Sequence, residues 1–212
     1  MIHLHVTKKL LAKLPIDEHG LFAEQPKTQY LSERTFKENP LSGWHGNLLI
    51  LQRRNCVLLV HDATRFPLFI PCLTKPDFEI FEALFMDSFM NTLLKCGATE
   101  AQLDAASHYM SRLKIDSECN RSVQGTMNQM KGDIEHMLRF DNVDVMDLSG
   151  YRTGVWLSDR PCNVKGQKDC IWPQKAMLSL LSSLAENPLE VEETKITLPD
   201  NVVSLNEFRN RK

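Results

Sequence analysis

The chain has 212 residues, 42% of them hydrophobic and 25% charged, with a net charge of −2. That size and balance fit one globular domain, with room for a small appendage, and exclude wholesale disorder. A pI near 6.4 disfavours a generic nucleic-acid coat, whose affinity comes mainly from neutralising phosphates, and no apolar run reaches the roughly 18 residues of a membrane span.

The opening residues lack the charged, apolar, small-residue order of a signal peptide, so a cytoplasmic protein is expected. Six cysteines stand at positions 56, 72, 96, 119, 162 and 170 and form no C-x-x-C pair. Cys56, Cys72 and Cys96 lie in or beside apolar stretches, as buried free thiols do. Cys162 and Cys170 share a Gly- and Lys-containing loop and are the one pair placed for redox or metal chemistry.

In chain order, Ile2 to Val6 alternates with His3 and His5 and predicts a short strand. Thr7 is placed to cap a short helix over 8–14, stopped by Pro15. Residues 15–43 hold three prolines and two glycines and predict loop, although so long a stretch should conceal a strand or a helical turn. Three apolar runs follow at 46–51, 56–60 and 66–72, separated by short polar turns, and predict an antiparallel meander. Pro67 and Pro71 push its third strand to an edge.

A long helix is expected over 74–96, with Pro76 in its first turn and Gly97 closing it. Thr99 and Gln102 have capping-box spacing for a second helix. A third is expected over 120–139. Residues 140–170 read as short strands and loops anchored by Tyr151 and Trp156, and 172–185 as a last helix. The architecture expected is α+β: an antiparallel β-meander packed on several helices in one domain, 1–185, with an acidic-to-basic extension over 186–212. Val202, Val203, Leu205 and Phe208 suit that extension to add a strand or short helix to its own domain or to a partner.

The helix over 120–139 has two faces at 100° per residue. Val123, Met127, Met130, Ile134, Met137 and Leu138 share one side and must face the core. Opposite them lie Arg121, Ser122, Gly125, Gln129, Gly132 and His136, with Asn128 alongside. Each glycine costs about 1 kcal/mol relative to alanine in a helix interior. Such a stripe admits a close neighbour, either another element of the chain or an outside ligand. Arg121, Ser122, Gly125, Asn128, Gln129 and Gly132 are therefore the candidate binding residues.

The run Asn120-Arg121-Ser122-Val123-Gln124-Gly125-Thr126-Met127-Asn128 resembles the signature of a bacterial family recorded only as a domain of unknown function. Related stretches occur in products named after an open reading frame of a rhizobial plasmid. Thr7-Lys8-Lys9-Leu10-Leu11 is similar to the family's opening, and Trp44-His45-Gly46-Asn47-Leu48-Leu49 to its W-x-x-N-L-L strand. Thr64, Pro67 and Pro71 fit its third-strand pattern. The resemblance implies a bacterial or mobile-element setting and carries no catalytic residues.

Other constellations are weaker. His3 and His5 share a strand face but lack a third metal ligand nearby. Cys56 and His61 lie on opposite faces of one strand and cannot meet. Arg53-Arg54 with Lys8 and Lys9 reads as solvated charge rather than one patch. The chain has no phosphate-binding lysine loop, dinucleotide fingerprint, H-E-x-x-H or G-x-S-x-G, and no cofactor is expected.

Two functional readings follow. In the first, the chain is a binding module whose Gly125/Gly132 face meets a protein or nucleic acid, in the plasmid, phage or toxin–antitoxin setting that the resemblance implies. In the second, it is a small enzyme acting on nucleic acid or nucleotides, with Arg121 and Asn128 on phosphate. A pocket beside Arg121 holding a carboxylate and a histidine favours the enzyme. A flat, apolar-rimmed surface favours the module.

Overall fold

A computed structural model describes residues 1–23, 39–164 and 169–188. Five strands form one mixed sheet in the order β4-β3-β2-β1-β5. They are β1 (Ile2–Val6), β2 (Trp44–Leu51), β3 (Arg54–His61), β4 (Pro67–Leu73) and β5 (Leu113–Asp116). The expected meander is present: β2, β3 and β4 are consecutive and antiparallel, with β4 on the edge as its prolines require. The sheet is nevertheless mixed, because β1 lies parallel to both β2 and β5. Neither crossover leaves a short-range sequence signal, since parallel neighbours are joined by long connections.

The β2–β3 turn carries positive φ at Gln52 and Arg53, the left-handed pair of a tight hairpin, made here without glycine. β5, at the other edge, is covered by the turn at 16–22, where the Ile115 amide donates to the Gly20 carbonyl at 2.9 Å. That turn is the structure hidden in the long loop, and it protects an edge that would otherwise pair with another chain. Residues 24–38 and the extension beyond 188 lie outside the described residues.

Strand alternation builds two cores. Ile2, Leu4, Trp44, Leu59 and Leu68 face one side and pack with Phe81, Phe85, Phe89, Tyr109 and Leu181. These come from α3 (Phe81–Lys95), α4 (Glu100–Tyr109) and α7 (Pro173–Glu186). Leu49, Leu51, Leu58 and Val60 face the other side and pack under α5 (Arg121–Phe140). Val123, Met127, Met130, Ile134 and Leu138 are buried there as the helix period requires, with Met137 half-buried. At about 1.5–3 kcal/mol each, these five hold α5 to the sheet.

The helix expected over 74–96 is two helices. α2 (Lys75–Glu79), with a Thr74/Asp77 capping box, ends at Ile80, and α3 starts afresh. The break puts Glu82 in a first turn, where the helix dipole favours a carboxylate. There the buried Glu82 accepts from the Leu113 amide at 2.9 Å and from Arg112 at 3.3 Å. α1 (Lys8–Leu11) is shorter than expected, and Thr7 donates to Asn47 Oδ1 rather than capping it. The Thr99/Gln102 capping box is present as read.

Residues 140–170 require the largest correction. A 3-10 turn (Val145–Asp147) and a nine-residue helix, α6 (Gly150–Ser158), replace the expected short strands. Two glycines in nine residues lower helix propensity, but they let α6 lie directly on β4. A Cβ at Gly150 would stand 2.4 Å from the Phe69 carbonyl oxygen, and one at Gly154 3.1 Å from Thr92 Cγ2.

Candidate functional site at the ends of strands one and five

The buried side chains of β1 alternate with His3 and His5, which face the side of the sheet where α5 sits. Register then sets a row across the strands. His5 lies beside Asp116 of β5 and beside His45 of β2, and Asp62 follows the end of β3. His5 Nδ1 and Asp116 Oδ1 are 2.6 Å apart, as are His45 Nδ1 and Asp62 Oδ1. The two rings stand 4.9 Å apart. The result is two carboxylate-held imidazoles side by side.

The two histidines are not equivalent. The carboxylates accept, so each Nδ1 carries its proton. His45 Nε2 in turn accepts the Asn120 amide at 2.8 Å, so that ring is fully employed in seating the start of α5. His5 Nε2 makes no hydrogen bond among the described residues, and the ring lines two adjoining cavities. Asp116 is held below the usual carboxylate range. Burial pushes it up, but the hydrogen bonds from His5 and from the Glu118 amide, with the nearby histidines, outweigh that.

One cavity, of about 340 Å³, is lined by Thr7, Lys8, Asn47, Gln124 and Asn128 along with His5 and His45. The other, of about 430 Å³, is lined by Asp62, Asn120 and Arg121 with the same two histidines. Glu118 and Cys119 border both. The site thus opens at the carboxyl ends of two parallel strands, where open sheets with crossovers commonly bind ligands.

α5 does not offer a bare helix N-terminus here. Asn120 Oδ1 accepts from the Ser122 amide at 3.0 Å and the Val123 amide at 3.4 Å. With those donors used, an anion at this end must rely on the side chains of Arg121 and Lys8. Of the sequence candidates, Arg121 lines one cavity and Asn128 the other. Ser122 Oγ accepts from Arg65 Nη2 at 3.0 Å, which ties α5 to the β3–β4 turn. Gly125, Gln129 and Gly132 are exposed along the helix and line neither cavity.

Apart from the adjoining residues and backbone of α5 itself, no described atom lies within 4 Å of where a Cβ would stand at Gly125 or Gly132. The fold therefore does not use that stripe for packing its described elements. Gly125→Ala and Gly132→Ala should each raise stability by up to about 1 kcal/mol through helix propensity. Urea titration checks this, and a loss in both variants would mean that something in the chain occupies the face.

His3 stays outside the row. No three His, Cys, Asp or Glu side chains among the described residues are grouped to hold a metal ion. Arg53 and Arg54 lie at the far end of the β2–β3 hairpin from Lys8, so they form no common patch with it. All six cysteines are free thiols. Sequence reasoning missed His45, Asp62 and Asp116, because the row forms only through strand register and the sequence order of its members is scattered. His5 was noticed, but as half of a metal pair.

Three segments that carry the resemblance, 7–11, 44–49 and 120–128, meet at these cavities. The family model described as domain of unknown function DUF6933 matches residues 3–176. The chain belongs to that family. The DUF6933 match takes in all five strands except Ile2, the first residue of β1, and stops within α7. No curated protein and no solved structure matches the chain. No described helix is long and apolar enough to cross a membrane.

Proposed function

We propose that the chain is a small enzyme acting on a phosphate-bearing substrate, a nucleotide or nucleic acid, with His5 moving a proton in the reaction. The observation that carries this reading is the His5–Asp116 pair, whose outer nitrogen opens into a cleft beside Arg121. An aspartate on Nδ1 fixes the ring's tautomer and orientation and stabilises the imidazolium as it forms, leaving Nε2 to take and return a proton. Lys8 and Arg121 supply cations at the two cavities. Asn47, Gln124 and Asn128 supply amides that can hydrogen-bond a sugar or base. Asn128 and Arg121 are two helical turns apart, roughly 10 Å, a span that a nucleotide matches.

The test is turnover of a panel of nucleotides, phosphodiesters and single-stranded oligonucleotides by the purified protein. Activity should fall by about 10²- to 10⁴-fold in His5→Asn, the usual worth of a positioned acid–base group, with the thermal midpoint little changed. No turnover across the panel, or full activity in His5→Asn, would defeat the reading.

One observation favours a second reading, as an interaction module: the open Gly125/Gly132 stripe of α5. There a protein or nucleic-acid partner would dock, in the bacterial mobile-element setting that the resemblance suggests. Bulky replacements such as Gly125→Leu should then abolish capture of the partner while leaving the fold intact.

A further inference from the structure

We propose that Cys119 is the nucleophile of this site, activated by His5. This deepens the enzyme reading and rests on it for the substrate's class.

The placement of Cys119 carries the argument. The loop 117–119 runs from the end of β5 to the cap of α5, and both its ends are pinned to the histidine row. Asp116, just before it, holds His5 Nδ1, and the Asn120 amide, just after Cys119, donates to His45 Nε2. Cys119 is exposed, and together with His5 it lines both cavities. A thiol, an imidazole whose Nε2 has no hydrogen bond among the described residues and a carboxylate on its Nδ1 are the three parts of an activated cysteine, and here the thiol has still to turn onto Nε2 within the shared cavity. The other described thiols lack this setting. Cys56 is buried and pushed up to about 11 by burial, and Cys162 is also buried and raised. The exposed Cys170 donates to Asn163 Oδ1 at 2.9 Å with no histidine beside it.

The chemistry balances within the site. His5 Nε2 accepts the Cys119 proton as Sγ bonds to the substrate phosphorus. The bond from phosphorus to the leaving oxygen breaks, and that oxygen takes the proton back from His5. Water then gives a proton to Nε2 as its oxygen bonds to the phosphorus, the S–P bond breaks, and the departing sulfur takes the proton back from Nε2. No oxidant, reductant or metal is needed.

The experiment is timed alkylation of the native full-length protein with iodoacetamide at neutral pH, read peptide by peptide by mass spectrometry. Cys119 should be modified at least about tenfold faster than Cys170 or a free cysteine peptide, since the thiolate is the reacting form. His5→Asn and Asp116→Asn should each bring it back toward the Cys170 rate, with circular dichroism confirming that both variants fold. Equal rates at Cys119 and Cys170 in the unaltered protein would overturn the proposal, as would a fast Cys119 that ignores both substitutions. The outcomes separate the two claims. If Cys119→Ser keeps turnover that His5→Asn removes, the nucleophile fails and the proton-transfer reading stands. If Cys119 is fast and His5-dependent but no phosphate substrate turns over, the nucleophile stands and the substrate class fails.

Discussion

Alanine at Gly150 is expected to destabilise the protein by about 3 kcal/mol, as overpacking against backbone does. The added methyl would stand 2.4 Å from the Phe69 carbonyl oxygen and 2.9 Å from Pro71 Cδ. Neither can yield as a flexible side-chain end can, because the oxygen belongs to β4 and the Pro71 ring is fixed in the same strand. α6 must therefore lift from the sheet and pull Leu157 from its buried place in the second core. The control is within the molecule: Gly125→Ala, with nothing within 4 Å, should move the other way. Urea midpoints of both variants on one plot decide the matter. A Gly150→Ala protein as stable as the unaltered one would mean that α6 does not dock as described.

Acid should destabilise the fold between about pH 6.5 and 4 chiefly through His61. Its ring is fully buried, and burial pushes it down to about 4 although Asp62 pulls the other way. Nδ1 accepts from Thr64 Oγ1 at 2.9 Å, and Asp62 and the Ser42 backbone favour the charged ring too weakly to offset burial. The folded state thus holds His61 neutral, whereas an unfolded histidine titrates near 6.5. Below that pH the unfolded chain binds the extra proton first, so stability falls with pH until the folded ring also titrates, and then levels off. The interval corresponds to roughly 3 kcal/mol. His61→Gln, which retains an acceptor for Thr64, should flatten this limb while leaving the loss below pH 4 that paired carboxylates produce. Denaturant titrations at half-unit pH steps would show it, and identical slopes in the two proteins would rule His61 out.

Elements governed by neighbours in sequence were legible in it. The meander, the Thr99 cap and the buried stripe of α5 each depend on spacings of a few residues. What depended on tertiary contact was not. The glycines show the division. Gly125 and Gly132 were legible from the helix phase as a face turned away from the core, and they do face open space among the described residues. Gly150 and Gly154, by contrast, are pressed against β4 and Thr92, in a stretch their own low propensity had disguised. The site divides the same way. Arg121 and Asn128 sit on a helix whose phase was readable, and both reach the cavities. Asp116 is brought to His5 across 111 residues and His45 by a second parallel register, while Asp62 meets His45 from the end of β3, and no local pattern records that assembly.

The position of β1 has a consequence for how the protein is made. It precedes both of its neighbours, yet it is completed on one side by residues 44–46 and on the other by residues 113–116. During synthesis at about 5–20 residues per second, the meander can close while the second edge of β1 still waits for β5 to leave the ribosome. Until then its backbone donors and apolar face are unpaired, the condition in which strands find wrong partners. His5 meets Asp116 only when that gap closes, so the candidate site is finished by the same event that finishes the sheet. A stalled or truncated chain would hold the meander and still have no chemistry.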